Sequence, residues 1–322
     1  MAHSPLAAAR PEADVTRGHR ADAWEGPHRP MMLKEVLRHL DPHPGEIAVD
    51  CTLGSGAHAH AILDAIAPGG KLIGLDVDAV ELQRSTQRLR DAGFGPAAFS
   101  AHHDHFTRLP DVLAAEGLRT ADMILVDLGV SSMQVEDPSR GFSYKVPGPL
   151  DMRMDTSAGE GASQLLARVG EAELSRILVA NADEPHAEAI AKLIAGSPIK
   201  TTHLLERTVR MGLNQALPAL SKPDVKMAVR RTFQALRIAV NDELNALDAL
   251  LRVVPRCLSP GGRAVVITFH SGEDRRVKKA FKAGKQSGVY SSIAVDVVRS
   301  AQDETYTDRR AMAAKLRWAV RA

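Results

Sequence analysis

Three aspartates that each end an apolar, strand-like run are the side chains best placed to do chemistry in this sequence. They are Asp50, Asp76 and Asp127. Because the carboxyl ends of parallel strands meet at one edge of an open α/β sheet, where ligands bind, we expect the three carboxylates to share one rim. Two alternatives stay open: Asp76 could cap the helix that follows it, and Asp127 could be a turn residue before Gly129.

A glycine-containing turn joins the first of these runs to a helix within Ile47–His58, which reads IAVDCTLGSGAH. Gly54 and Gly56 let the backbone turn tightly and approach a ligand where a Cβ would clash. The free N–H groups at the start of the helix can bind an anion. Strand, glycine turn and helix form the first unit of a nucleotide-binding α/β domain. Because Gly54-x-Gly56-x-x-Ala59 also fits a dinucleotide fingerprint, a dinucleotide and a tight turn without a ligand stay open.

The charge of the rim helps to choose between cofactors. Asp76 lies about 20 residues after Gly56, the spacing at which an acid accepts hydrogen bonds from ribose hydroxyls. A nicotinamide dinucleotide brings a pyrophosphate dianion that nearby carboxylates repel, whereas S-adenosylmethionine brings a sulfonium cation. At an effective dielectric of about 20, one opposite charge at about 4 Å attracts by about 4 kcal/mol before desolvation. The rim therefore favours a methyl donor over a nicotinamide.

Two kinds of feature point to nucleic acid. The loop Val135–Asp155 interleaves aromatic and basic side chains, which suits a base that stacks on a ring while cations meet its phosphates. Three basic clusters occur later in the chain, and together they favour a phosphate-bearing partner. The loop could instead be held by apolar packing and salt bridges, and each cluster alone could be a solvated face. The loop residues are Arg140, Phe142, Tyr144, Lys145 and Arg153, preceded by Gln134, and the clusters are Lys222, Lys226, Arg230, Arg231 and Arg237, then Arg275, Arg276, Lys278 and Lys279, then Arg309, Arg310, Lys315 and Arg317.

Composition excludes several classes of protein. The chain has 322 residues, a net charge of +2 and two cysteines, so it is neither a polycation nor a disulfide scaffold, and it fits a reducing compartment such as the cytoplasm. No apolar run approaches the roughly 20 residues that a membrane span needs. Residues 1–27 resemble no secretory signal and are predicted to be a disordered arm. His102, His103 and His105 match no standard metal motif, and we predict no metal site.

The order of the elements predicts an α/β fold with a helical insertion. Strand-like and helical segments alternate up to Asp127, which indicates a parallel sheet with helices on both faces. About 130 residues then precede the next strand, Arg263–Phe269, where a standard crossover needs roughly 30. An apolar repeat every three or four residues predicts one long helix, Thr232–Val254. Ile293–Val298 and Leu316–Val320 are predicted to be closing strands.

Several longer motifs resemble the bacterial 16S ribosomal RNA cytosine-N4 methyltransferases, the MraW/RsmH family, over almost everything from His28 to Arg317. The most specific motifs are DLGVSS at Asp127–Ser132, RGFS at Arg140–Ser143, PLDMRMD at Pro149–Asp155 and TFQALRI at Thr232–Ile238.

The resemblance implies a fold, a cofactor and a substrate. The fold is a class I S-adenosylmethionine-dependent methyltransferase (Rossmann-like) sheet over residues 28–135 and 232–322, with an inserted all-helical substrate-binding subdomain over 136–231. The methyl donor is S-adenosylmethionine, and the target is the N4 amino group of a decoding-centre cytosine, cytosine 1402, in 16S ribosomal RNA of the small subunit. The resemblance implies donor contacts at Gly56, Ala57 and His58, ribose binding by Asp76, adenine contact by Phe106, and closure of the site by Asp127 and Gln134.

The resemblance and the residue chemistry together define one main hypothesis and two rivals. In the main one, Asp127 is the catalytic residue that orients the amino group and assists proton loss, and Phe142 or Tyr144 stacks on the base. Arg140, Arg153, Arg231 and Arg237 complete the predicted RNA contacts. One rival is an RNA-binding ribosome-assembly factor without transfer activity, and the other is a nicotinamide-dependent oxidoreductase. Ala57 replaces a glycine that the family usually has, which fits only if its φ is negative. The oligomeric state stays open.

Overall fold

The computed structural model describes residues 30–300 and 311–322 of the chain. The predicted N-terminal arm, residues 1–27, and the predicted basic residues Arg309 and Arg310 lie outside the described residues.

A mixed sheet forms the centre of the fold, with strands in the order β3-β2-β1-β4-β5-β8-β6 and with β7 paired to β8. The neighbours from β3 to β5 run parallel, and β8 runs antiparallel to β5. This order confirms the predicted α/β class and its Rossmann-like methyltransferase sheet. The strands are β1 Ile47–Asp50, β2 Lys71–Asp76, β3 Phe99–His103, β4 Ala121–Asp127, β5 Leu258–Thr268, β6 Tyr290–Ile293, β7 Val298–Arg299 and β8 Lys315–Arg321.

The predicted closing strand Ile293–Val298 is wrong. Its two ends belong to separate short strands that pair with different parts of β8, namely β6 near Ala319 and β7 near Leu316. The residues between them leave the ladder, and Val295 is 85% exposed. The second closing strand is confirmed and is one residue longer at each end.

Helices cover both faces of the sheet and form the insertion. The strands read as near-continuous apolar runs because both of their faces are buried. Helices α1–α3 pack on one face, and α4, α11 and α12 pack on the other. The helices are α1 Leu33–Leu40, α2 Ala57–Ile66, α3 Ala79–Asp91, α4 Leu109–Ala115, α5 Ser132–Glu136, α6 Ala162–Arg168, α7 Glu171–Ala182, α8 Ala187–Ile194, α9 Thr202–Ala216, α10 Lys222–Asn241, α11 Glu243–Cys257 and α12 Ser271–Gln286.

The predicted long helix Thr232–Val254 is two helices. Asp242 between them has a φ of 50°, and this left-handed backbone ends α10 although the Asp242 N–H still donates to the Ile238 carbonyl in the helical pattern. The apolar repeat continues through this break because its two halves pack in different cores. Phe233 of α10 packs within the insertion, whereas Leu247 of α11 packs against the sheet. The predicted end of the insertion at residue 231 stays a prediction, although Phe233 and Leu236 beyond it pack in the same apolar cluster as α6–α9.

The insertion, α6–α10, has an apolar core of its own that is separate from the two layers beside the sheet. Helix α10 belongs to this core over most of its length and reaches the edge of the sheet at its C-terminal end. No helix within residues 30–300 or 311–322 is long and apolar enough to cross a membrane.

Candidate active site

The carboxyl ends of β1, β2 and β4 meet at one edge, as the sequence predicts, but Asp50 lies deeper than the other two acids. In the strand register Asp50 pairs with Gly74 of β2 and Leu125 of β4, each two residues before the end of its strand. Asp50 is 1% exposed, whereas Asp76 and Asp127 line an enclosed pocket. Two of the three predicted carboxylates therefore line the pocket, and the third is buried.

Burial of Asp50 has a consequence for stability. Burial raises the pKa of Asp50 from 3.8 to about 7, and the charge of Asp76 adds to the rise, although hydrogen bonds from Thr52 oppose it. Because the folded state holds this proton more tightly than the unfolded chain does, the contribution of Asp50 to stability is greatest below pH 4 and is lost as the pH rises towards 7. The full shift corresponds to at most about 4 kcal/mol.

We therefore expect Asp50→Asn to stabilise the protein more at pH 8 than at pH 5. The asparagine keeps an oxygen that can accept the hydrogen bond from the Thr52 N–H, which is 3.1 Å long in the wild type, but it does not titrate. The difference in Tm between variant and wild type should grow by about 5 °C over this pH range, measured by thermal unfolding without ligand. Parallel Tm curves for the two proteins would contradict this assignment.

Asp76 does not cap the helix that follows it, and its predicted role as a ribose acceptor stays a prediction. Its two oxygens accept the N–H groups of Gly54 at 2.7 Å and Asp78 at 2.8 Å. Burial raises its pKa to about 6; the backbone hydrogen bonds oppose the rise, and the charges of Asp78 and Glu81 add to it. The N-cap of α3 is Asp78, so the alternative role for Asp76 is wrong. A carboxylate has further lone pairs, which leaves Asp76 able to accept hydroxyl groups.

The glycine turn uses its two glycines for different purposes. Gly54 has a φ of 49° and lines the pocket. Gly56 has a φ of 84°, a backbone conformation that favours glycine, and a Cβ there would make only ordinary contacts at 3.4–3.5 Å with Leu89 and Ser85 of α3. This packing does not support the predicted contact between Gly56 and the methyl donor, and that contact stays a prediction. Ala57 is the first residue of α2 and is not among the residues with positive φ, so the expected condition for this alanine is met.

The enclosed pocket has a volume of about 100 Å³ and walls from both parts of the chain. Phe106 lies on the sheet side with the acids. Gln134 closes the pocket from α5, where its amide accepts the Ser131 N–H at 3.0 Å and donates to Asp78 at 3.0 Å. The junction between α10 and α11 supplies the wall on the side of the insertion. The wall residues from the insertion and from the start of α11 are Met154, Asn241, Glu243 and Leu247.

An open cleft of about 870 Å³ adjoins the enclosed pocket. Thr52, Gly54, Asp127, Gly129 and Ser131 are among the residues that line both spaces. The cleft therefore continues the pocket at Asp127. The cleft is also lined by Ala57, His58, Tyr144, Lys145, Lys226, Arg230 and Arg237.

Asp127 lies at the boundary between the pocket and the cleft, where a backbone hydrogen bond holds it and a neutral histidine, His58, lies beside it. Its N–H donates to the Thr52 hydroxyl at 2.7 Å. His58 Nδ1 lies 3.8 Å from Asp127 Oδ2, and His58 Nε2 lies 2.8 Å from the Met31 carbonyl. Burial lowers the pKa of His58 to about 4, against the effect of that hydrogen bond, so the ring is neutral near pH 7. Since the Met31 carbonyl can only accept, Nε2 carries the proton and Nδ1 presents a lone pair.

Most of the arginines predicted to contact RNA have intramolecular partners. Arg237 forms two 2.8 Å hydrogen bonds with Glu243, Arg153 is paired with Asp151, and Arg140 contacts Asp78. Arg231 is the most exposed of the four, with one nitrogen 4.0 Å from Glu184. Phe142 and Tyr144 pack against the core of the insertion, and only Tyr144 also lines the cleft. RNA contact by these six residues stays a prediction.

Three other cations in the cleft are better placed to meet phosphates. Lys145, Lys226 and Arg230 are exposed, line the cleft, and form no ion pair with any carboxylate in the described part of the chain. By contrast, Lys315 and Arg317 of the third basic cluster are both paired with Asp274. The sequence identified these residue types but could not separate all paired from unpaired cations, because partners such as Asp78 and Asp274 come from distant segments.

The histidines at the end of β3 and just after it have ordinary partners. His102 Nε2 lies 2.6 Å from a Glu116 oxygen, and His105 Nδ1 lies 2.9 Å from the Thr107 hydroxyl. Over residues 30–300 and 311–322, no group of three or more His, Cys, Asp or Glu side chains could hold a metal ion.

Sequence reasoning missed Thr52, Asn241 and Glu243 as wall residues of the site. Thr52 follows two residues after a strand-end acid, a position that could have identified it. Asn241 and Glu243 carried no sequence signal, because they flank the break that the apolar repeat concealed.

Comparison with known proteins identifies relatives over nearly the whole chain. The ribosomal RNA small subunit methyltransferase H 1 of Agathobacter rectalis is 42% identical over 307 residues, covering 92% of this chain and 86% of that protein. The ribosomal RNA small subunit methyltransferase H of Anaeromyxobacter sp. (strain K) is 41% identical over 310 residues, covering 90% and 96%.

Solved structures show more distant similarity. An rRNA methylase from Streptococcus thermophilus has a TM-score of 0.40 at 11% identity, with 90% of this chain and 93% of that chain covered. The fibrillarin of Aeropyrum pernix, solved with bound S-adenosylmethionine, has a TM-score of 0.38 at 11% identity, with 86% and 67% covered. Similarity at this level carries no functional inference.

The family itself is established by the sequence comparisons. A family model described as the MraW methylase family matches residues 25–322, which confirms the resemblance of the motifs. With relatives at about 40% identity across most of both chains, this chain belongs to the MraW methylase family.

Proposed function

We propose that this protein transfers a methyl group from S-adenosylmethionine to the exocyclic N4 amino group of a cytosine in small-subunit ribosomal RNA, cytosine 1402 of the decoding centre. The observation that carries the proposal is the position of Asp127 at the boundary between an enclosed acidic pocket and an open basic cleft. A methyl donor in the pocket and a base in the cleft would meet at this carboxylate. The names of the relatives support ribosomal RNA of the small subunit as the substrate.

The residues of the enclosed pocket fit the donor. Asp76 has acceptor capacity for ribose hydroxyls, and Phe106 offers a ring to a base. The start of α2 offers N–H groups to a carboxylate. The carboxylates of Asp76 and Asp127 suit a cation and disfavour a pyrophosphate. When bound, S-adenosylmethionine supplies a methyl group on a positively charged sulfur.

Asp127 is assigned to the amino group of the base. The lone pair of a cytosine amino nitrogen is delocalised into the ring, so this nitrogen is a poor nucleophile. A carboxylate oxygen of Asp127 accepts a hydrogen bond from the amino group and orients it towards the pocket, and positioning of this kind supplies much of the rate. The same carboxylate takes the proton that the nitrogen loses when it is methylated. Neutral His58 leaves the charge of Asp127 available for this role.

The cysteines argue against methylation of a ring carbon. Methylation of cytosine at C5 needs a thiolate to add to the ring and activate it. Burial raises the pKa of Cys51 well above its ordinary value and that of Cys257 to about 11, so both thiols are protonated near pH 7. Because the chain has two cysteines, no third thiol can take this role, which disfavours C5 of cytosine as the methylated atom.

The function is tested by incubating the protein with methyl-labelled S-adenosylmethionine and undermethylated small ribosomal subunits. We expect label in the ribosomal RNA, approaching one methyl group per subunit. An RNA-binding assembly factor would bind the subunits without transferring label, and a nicotinamide-dependent oxidoreductase would bind a dinucleotide and not S-adenosylmethionine in titration calorimetry. Either outcome would replace the proposal by that rival.

A further inference from the structure

A three-residue segment of the loop before α6 forms part of the wall of the enclosed pocket without belonging to any helix or strand. The segment is Met152–Met154, and Met154 lines the pocket. Met152 is fully buried and has a φ of 66°, a conformation that is strained for a non-glycine residue and persists only when its surroundings impose it. Something outside the segment must therefore hold this wall in place.

Every backbone polar group of the segment has a hydrogen-bond partner, and two side chains provide four of these six partners. Asn241 accepts from the Met154 N–H at 2.7 Å and donates to the Met152 carbonyl at 2.7 Å. Arg140 donates to the Arg153 carbonyl at 3.1 Å and to the Met154 carbonyl at 2.7 Å. The remaining two N–H groups donate to the Arg140 carbonyl at 3.0 Å and to Asp151 at 3.0 Å.

The same arginine reaches the opposite wall of the pocket. Its other terminal nitrogen donates to Asp78 at 2.5 Å, and Asp78 also accepts from Gln134, which lines the pocket. Although burial opposes it, these two hydrogen bonds hold the pKa of Asp78 below its ordinary value, so the partner of Arg140 is a carboxylate. The backbone N–H of Asp78 donates to Asp76, the ribose-binding acid.

We propose that Arg140 and Asn241 are positioning residues of the methyl-donor pocket, and that Arg140 acts there and not as an RNA contact. Arg140 ties the Met154 wall to Asp78 beside the ribose-binding acid, and Asn241 ties the same wall to the end of α10. A planar guanidinium can satisfy a carboxylate and two carbonyls at once, which a lysine ammonium cannot do in this geometry. The inference rests on the proposed use of S-adenosylmethionine as the methyl donor.

The chain contains a closely matched control for Arg140. Arg263 also binds one carboxylate and backbone carbonyls: it contacts Glu46 through two nitrogens and donates to the carbonyls of Leu40, Asp41 and Asp122. The side chains of Arg140 and Arg263 are 14% and 15% exposed. Arg263 lies at the start of the parallel part of β5, opposite the edge that forms the pocket, since it pairs with Met123 near the start of β4. Arg140→Lys and Arg263→Lys thus remove contacts of the same kind, one beside the donor pocket and the other far from it.

The experiment measures S-adenosylmethionine affinity by calorimetry, affinity for a 16S ribosomal RNA transcript, and Tm, in the full chain. We expect both lysine variants to lower Tm, Arg263→Lys at least as much as Arg140→Lys because Arg263 makes more contacts. Only Arg140→Lys should weaken donor binding, by about 10-fold or more, with RNA affinity within about 3-fold of wild type. Asn241→Asp removes the side-chain NH2 that donates to the Met152 carbonyl and keeps the oxygen that accepts from the Met154 N–H. This variant should also weaken binding of the methyl donor. In the double variant of Arg140→Lys and Asn241→Asp, the loss of donor binding free energy should be smaller than the sum of the two single losses, because both side chains hold the same segment.

Two results would overturn the inference. One is wild-type donor affinity in Arg140→Lys, and the other is a loss confined to RNA affinity, which would make Arg140 the RNA contact that the sequence predicts. If the wild-type protein itself binds no S-adenosylmethionine, the proposed function fails instead, so the two failures are distinguishable.

Discussion

Asp127→Asn is expected to reduce the rate of methyl transfer by about 100- to 10,000-fold, the range over which a general base contributes. The asparagine keeps the size of the side chain and its backbone hydrogen bond to Thr52. It cannot accept the proton, and its amide can present a donor to the cytosine amino group where an acceptor is needed. Single-turnover transfer to undermethylated small subunits, with saturating donor, measures this loss without contributions from product release.

The control for this variant lies at the other end of the same strand. Asp122 is also a half-buried aspartate of β4 and accepts the N–H of Ile47 at 2.9 Å, far from the pocket. Asp122→Asn should leave the transfer rate within about 3-fold of wild type, and Asp127→Asn should keep donor and RNA affinities within about 10-fold. A single-turnover rate for Asp127→Asn within 10-fold of wild type would show that the carboxylate is not the catalytic group.

The second large effect concerns the cleft cations. Replacing Lys145, Lys226 and Arg230 together by glutamine should weaken RNA binding by about 100-fold at low salt. Because each phosphate contact to a single strand contributes about 0.7 to the slope of log K against log salt, the slope should fall by about 2. Donor affinity should not change, since none of the three lines the enclosed pocket.

A control variant that loses the same charge elsewhere distinguishes RNA binding in the cleft from non-specific electrostatic attraction of RNA to the protein. Lys278, Lys279 and Lys282 are exposed on α12 and do not line the cleft. Their triple glutamine variant should reduce RNA affinity by less than about 5-fold and leave the salt slope nearly unchanged. Equal losses in the two triple variants would mean that RNA follows overall charge and does not use the cleft.

Features that depend on local sequence were predictable. The acids at the strand ends, the glycine turn and the helical insertion follow from apolar runs, spacing and chain length. Asp76 and Asp127 were assigned to one sheet edge because parallel strands have fixed ends, and the structure brings both to one pocket. The requirement for a negative φ at Ala57 could also be stated in advance, because it concerns the backbone of a single residue.

Features that depend on distant partners were not predictable. Arg140 was interpreted as an RNA contact from its neighbours in the loop, but its carboxylate partner, Asp78, lies 62 residues away in the sequence. Asp242 ends a helix in a left-handed conformation that an apolar repeat does not reveal. Whether a cation has a carboxylate partner depends on which segments the fold brings together. The sequence therefore could not identify Lys226 and Arg230 as the unpaired cations of their cluster.

The most direct test of the account is the chemical identity of the methylated nucleoside. After transfer to undermethylated small subunits, the ribosomal RNA is digested, and the nucleosides are separated and fragmented by mass spectrometry, with the modified position mapped from larger fragments. The account predicts that the added methyl group lies on the exocyclic nitrogen of a single decoding-centre cytosine, and that Asp127→Asn greatly slows its appearance. A methyl group on C5, on a ribose or on another base would contradict the assignment of Asp127 to the amino group of cytosine.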